Sequence, residues 1–71
     1  MERIKAAVIG AGIFGDTHCR VYSESPIVDL AWVCDQDQER AKQAAKKYNC
    51  NFTTDLQEIT NDPSISIVSV A

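Results

Sequence analysis

Little in this chain points to metal, disulfide or membrane chemistry. It has three cysteines, Cys19, Cys34 and Cys50, and one histidine, His18, with wide spacings and no C-x-x-C pair. That pattern argues against a disulfide framework or a zinc site. All three cysteines read as structural, and Cys34, inside an apolar run, reads as a small buried hydrophobe. No 18 apolar residues stand in a row and no basic, apolar leader opens the sequence. Neither a membrane span nor a secretory signal is expected, and a cytoplasmic location is the default. Seven Lys and Arg face ten Asp and Glu, for a formal net charge of −3, and the basic residues are spread out. This balance argues against nucleic acid or a membrane surface as partner. Linkers, internal repeats and low-complexity segments are also lacking. With 71 residues, the chain is too short for a complete doubly wound domain, and one this size buries only about 60% of its unfolded surface.

Glycine is equally scarce, and its placing is informative. The three glycines stand at 10, 12 and 15 in KAAVIGAGIFGD, residues 5–16. They fit G-x-G-x-x-G, in which one glycine makes a tight turn, one lets backbone approach a pyrophosphate and one allows helix and strand to pack closely. The anion is held by free N–H groups and the positive end of the helix dipole, with Ile13 and Phe14 supplying backbone at the two free positions. Their side chains are expected to pack. Context strengthens the motif. Ile4, Ala6, Ala7, Val8 and Ile9 form a nearly continuous apolar run, which suits a parallel strand covered on both faces. A second run, Val28 to Cys34, ends in Asp35, 35 − 15 = 20 residues past Gly15. There a dinucleotide fold places the carboxylate that takes the adenosine ribose hydroxyls.

The remaining elements follow in order. A strand over residues 3–9 leads into a helix from Ile13 to Glu24, stopped by Ser25-Pro26. Counting from Gly15 puts His18 and Tyr22 against the sheet. His18 reads as a buried, hydrogen-bonded interface residue in preference to a cofactor contact or proton carrier. After the strand Val28 to Cys34, Asp37 can cap a helix whose narrow inner face is Ala41, Ala44, Ala45 and Tyr48. Lys42, Gln43, Lys46 and Lys47 are expected to face water. Asn49 and Asn51 mark the turn out, and Phe52-Thr53 suffices for a short strand. Thr54 to Gln57 fits a capping box, Thr54 bonding forward and Gln57 reaching back, with Leu56 and Ile59 inward and Asn61-Asp62-Pro63 as the stop. A last strand runs over residues 65–71. This β-α-β-α-β-α-β order predicts an α/β, Rossmann-type, doubly wound parallel sheet of about four strands in order 3-2-1-4, with helices on both faces. The expected cofactor site is the crevice lined by Gly10, Gly12, Ile13, Phe14, Gly15, Asp35, Gln36, Val70 and Ala71. The unpaired edge of the last strand predicts self-association or marginal stability.

The segments VIGAGIFGDTH, WVCDQDQERAKQAAKKY and FTTDLQEITNDPSISIVSVA together resemble the amino terminus of the Gfo/Idh/MocA family, the glucose-fructose oxidoreductases and inositol dehydrogenases. The likeness rests on the glycine turn with His18 three residues on, the D-x-D-x-E-R-A segment at Asp35 to Ala41, and Thr54 to Leu56. It implies an NAD- or NADP-dependent oxidoreductase acting on sugars, inositols or related polyols, with a carboxy-terminal substrate domain and a homo-oligomeric parent. Residues 1–71 would be part of its dinucleotide-binding domain, and the rest of that domain and the substrate domain would lie outside them. The family's Thr-Pro and Glu-Lys-Pro segments, the latter carrying the lysine implicated in catalysis, are not among these residues. No residue present is a credible hydride-transfer catalyst. A non-catalytic NAD(P)-sensing module is the alternative, and an adenosyl-dependent methyltransferase a more distant one. NAD is favoured because Asp35 pairs with a ribose diol and repels a 2′-phosphate. Arg40 keeps NADP open.

Overall fold

A computed structural model describes residues 3–71. Seven elements alternate: β1 (Ile4–Ile9), α1 (Ile13–Glu24), β2 (Val28–Cys34), α2 (Gln38–Tyr48), β3 (Asn51–Thr53), α3 (Leu56–Thr60) and β4 (Ile65–Val70). The strands form one parallel sheet in the order β3-β2-β1-β4. Consecutive strands step outward from β1 to β2 to β3, and the chain then crosses back to lay β4 on the other side of β1. That reversal leaves a crevice at the carboxyl ends of β1 and β4, the usual ligand position in such sheets.

The continuous apolar run of β1 is explained by burial on both faces. Val8 packs with Cys19 of α1 and with Leu30 and Val33, while Ala11, Tyr22, Ala44, Tyr48 and Cys50 close around them. Ala7, whose side chain points the opposite way, packs with Cys34 and Ile59, flanked by Ile9, Trp32 and Ile65. Helices α1 and α2 therefore cover one face of the sheet and α3 the other. The alanine face of α2 is as the sequence predicts, with Ala41 and Ala45 buried and Ala44 and Tyr48 half-buried.

Several local expectations are corrected. The inner stripe of α1 is Gly15, Cys19 and Tyr22, because the residue one full turn from Gly15 is four positions on and not three. His18 lies half-buried at the border of that stripe, beside Thr17, Val21 and Tyr22. Asn51 belongs to β3, and the turn is made by Asn49 alone, in the left-handed region at φ 56°. The cap of α3 is Asp55, whose Oδ1 accepts the Gln57 N–H at 2.9 Å, and not Thr54. Thr53 Oγ1 accepts the Asp55 N–H at 3.0 Å and donates to Glu58 Oε1 at 3.0 Å. The expected box is thus displaced by one residue and relayed through the buried Thr53 hydroxyl. Leu56 is 46% exposed, and Ile59 alone of the pair is buried. A first-turn side chain leans back past the helix start, and five residues offer the sheet only one inward position.

Candidate dinucleotide-binding site

β1 ends in a turn that only glycine can make. Gly10 has φ +97°, and a Cβ there would stand 3.1 Å from the Ala71 carbonyl oxygen. Its N–H bonds the Cys34 carbonyl at 2.7 Å, continuing the β1–β2 ladder, and on the other side the Ala71 N–H bonds the Ile9 carbonyl at 2.9 Å. The turn is thereby held between β2 and β4. Gly15, two residues into α1, meets the turn so closely that a Cβ would lie 1.7 Å from the Gly10 carbonyl oxygen. Gly12 differs from both. Beyond its two chain neighbours, no atom lies within 4 Å of where its Cβ would be, so no packing contact requires glycine there; the open space is what an approaching ligand uses.

Gly12 is the N-cap of α1 and provides no capping side chain. The first intrahelical donor is Asp16, whose N–H bonds the Gly12 carbonyl at 2.8 Å. The N–H groups of Ile13, Phe14 and Gly15 precede it and lack intrahelical partners, which leaves them free for an anion. The side chains of Ile13 and Phe14 do not pack as expected: they are 87% and 76% exposed. A first-turn side chain leans back toward the helix start, and here neither is covered.

Asp35 stands at the carboxyl end of β2 beside this turn. Its Oδ2 accepts the Ala11 N–H at 2.8 Å and its Oδ1 the Asp37 N–H at 2.8 Å. Burial alone would raise this carboxyl's pKa, but those two N–H bonds and the charge of Arg40 outweigh it and hold the group below the ordinary carboxylate range. Each oxygen keeps a lone pair for a hydroxyl. Asp37 in turn caps α2, accepting the Arg40 N–H at 3.2 Å. A cavity of about 680 Å³ lined by Ala11, Gly12, Ile13, Asp16, Thr17 and Arg40 runs along the turn and α1. Gln36 is exposed beside Asp35, and Val70 and Ala71 are exposed on the β4 side. Of the residues expected at the crevice, Gly12 and Ile13 line this cavity, Gly10 meets Ala71 at the turn, and Asp35 is bonded to the turn through Ala11.

Sequence reasoning missed two parts of this region. The Ala11 contact is made by backbone and carries no side-chain signal. Asp16 Oδ1 takes the Tyr48 hydroxyl at 2.7 Å and the Lys47 ammonium at 3.0 Å, so Lys47 is exposed but engaged. The only trace in the sequence is an acid in the first turn of α1.

A parallel sheet with this reversal, a glycine turn open at its second glycine and an acid at the end of β2 defines a dinucleotide-binding half-domain. Comparison with known proteins agrees. Residues 4–71 match the model of an oxidoreductase family with an NAD-binding Rossmann fold, GFO_IDH_MocA, and the chain belongs to that family. It is 27% identical to levoglucosan dehydrogenase of Pseudarthrobacter phenanthrenivorans, over 100% of this chain and 20% of that protein. Among solved structures, GenD2 from gentamicin A biosynthesis, in complex with NAD, superposes with a TM-score of 0.95 at 37% identity, covering 100% of this chain and 20% of the other. The myo-inositol dehydrogenase of Lactobacillus casei, in complex with NAD(H) and myo-inositol, gives a TM-score of 0.88 at 28% identity over 97% and 21%. The chain spans about a fifth of the length of these relatives. No helix among the described residues is long and apolar enough to cross a membrane.

Proposed function

We propose that these 71 residues are the cofactor-binding opening of a cytoplasmic, homo-oligomeric NAD-dependent dehydrogenase acting on a sugar, inositol or related polyol. The observation that carries this reading is the Asp35 carboxylate, locked against the glycine turn by the Ala11 N–H with a free lone pair on each oxygen. Gly10, Gly12 and Gly15, with the backbone of Ile13 and Phe14, hold the pyrophosphate. Asp35 takes the adenosine ribose diol with Gln36 at its side, and Val70 and Ala71 close the crevice on the β4 side. The open space at Gly12 and the uncapped helix start fit such a group. When bound, the nicotinamide supplies the hydride acceptor. Residues 1–71 bind and orient. The acid–base groups and the substrate pocket lie in the part of the protein beyond them.

NAD is preferred over NADP because the fixed carboxylate repels a 2′-phosphate. Arg40 borders the cavity beside Gly12 and Ile13 and supports a secondary acceptance of NADP. Calorimetric titration with each cofactor tests both statements. Saturable binding with NAD tighter is the expected outcome; absence of binding by a folded chain, or tighter NADP, overturns the reading.

A further inference from the structure

Asp16 poses an electrostatic problem for a phosphate-binding helix start. It lies in the first turn of α1 and lines the same cavity as Gly12 and Ile13. An acid there is favourable for the helix itself, because it complements the positive end of the dipole. It also competes with any anion for that end. The structure ties that carboxylate to α2. From the last turn of α2, the Tyr48 hydroxyl donates to Asp16 Oδ1 at 2.7 Å and to the Asp16 carbonyl at 3.2 Å. The Lys47 ammonium donates to the same Oδ1 at 3.0 Å and sits 5.2 Å from the centre of the Tyr48 ring. Two groups from α2 thus converge on one carboxylate oxygen of α1, 31 and 32 residues away in sequence.

We infer that Tyr48 and Lys47 are positioning residues for cofactor affinity: they hold the Asp16 charge off the phosphate-binding turn. This rests on the NAD-binding reading above. Removal of the Tyr48 hydroxyl changes no charge and leaves the ring to pack in the core, but loosens the carboxylate within the cavity wall it shares with Gly12 and Ile13. Both ionic partners are largely exposed, with side chains 61% and 45% accessible, so the effect is bounded and screened by salt.

The test is calorimetric titration of NAD into the chain and three variants, with melting temperatures alongside. Tyr48→Phe should weaken NAD about two- to threefold, and Lys47→Met/Tyr48→Phe about tenfold in low salt, shrinking by 0.5 M salt. Asp16→Asn combined with Tyr48→Phe should return affinity to the starting level, although this variant lacks the same α1–α2 tie and melts no higher than Tyr48→Phe. A merely structural strut predicts the reverse, with affinity following melting temperature. Unchanged affinity in Tyr48→Phe, or failure of Asp16→Asn to restore it, overturns the inference while leaving the cofactor assignment intact. No saturable NAD binding by the unaltered chain overturns both.

Discussion

The backbone N–H of Ala11 donates to Oδ2 of Asp35 at 2.8 Å, joining the glycine turn to the end of β2 across 24 residues of chain. One acid therefore serves two purposes, fixing the turn and presenting its remaining lone pairs. Asp35→Ala removes charge-assisted contacts and should weaken NAD about ten- to a hundredfold. NADP, freed of repulsion but facing a loosened turn, should lose less, so the preference narrows. Calorimetry with both cofactors checks this, and an equal loss for the two would confine Asp35 to shaping the turn.

The same carboxyl gives stability an acid limb. Its folded pKa lies below the ordinary value, so its contribution is present above the unfolded pKa and is lost as pH falls through the folded one. Melting temperature should hold from neutrality to about pH 5 and decline below about pH 4. Asp16, bonded by Tyr48 and Lys47, and Asp62, bonded by Ser64, are lowered too and add to the decline. Asp35→Asn should remove part of it, and an unaltered acid limb in that variant would exclude Asp35 as a contributor.

The glycines should separate folding from binding. Gly15→Ala forces a Cβ to within 1.7 Å of the Gly10 carbonyl oxygen and should cost about 3 kcal/mol or more, enough to unfold a chain this small. Gly10→Ala, strained at φ +97°, should cost about 1–2 kcal/mol. Gly12→Ala should change chain stability by less than about 1 kcal/mol, since nothing beyond its chain neighbours lies within 4 Å of the new atom. Its NAD affinity should nonetheless fall, and a variant that melts normally and binds NAD normally would place the pyrophosphate elsewhere.

The three thiols are free and shielded. Burial pushes Cys19 and Cys50 up to about 11, with Asp16 adding to the first and Cys19 to the second; burial also raises Cys34. At pH 8 the thiolate fraction is therefore small, and alkylation by iodoacetamide should be slow in the native chain and fast for all three once unfolded. Rapid native labelling of Cys19 would mean that α1 lifts from the sheet.

On the α3 face, Ile59 is the one large side chain among the described residues that is fully buried. Ile59→Ala should cost about 2–4 kcal/mol, measurable as a lowered denaturant midpoint, whereas Leu56→Ala, at an exposed position, should cost less than about 1 kcal/mol.

Sheet order and the meeting of the glycine turn with Asp35 were legible because long-range and local signals agree: an apolar run, a glycine turn and an acid twenty residues on leave few topologies. The failures lie where two neighbouring residues could do the same task. Thr54 and Asp55 both can cap; the carboxylate does so, and the preceding Thr53 hydroxyl takes up the Asp55 N–H. His18 and Cys19 differ by 100° around α1, and spacing alone does not say which of them meets Val8. Phe14 is apolar but lies uncovered in the first turn of α1, where hydrophobicity and burial part company. The Asp16–Tyr48 pair joins helices 32 residues apart, a distance at which no periodicity operates.

The bond from the Ala71 N–H to the Ile9 carbonyl sets an order of events. β4 pairs with β1 across three intervening crossovers, and such long-range parallel pairing is the slow part of folding. The crevice is walled by the first strand and the last, so a half-folded chain does not possess it. A ligand that fits there binds only molecules in which β4 is paired with β1, and by mass action it withdraws them from the unfolding equilibrium. Cofactor supply would then govern not only what this sheet does but how long each copy of it survives.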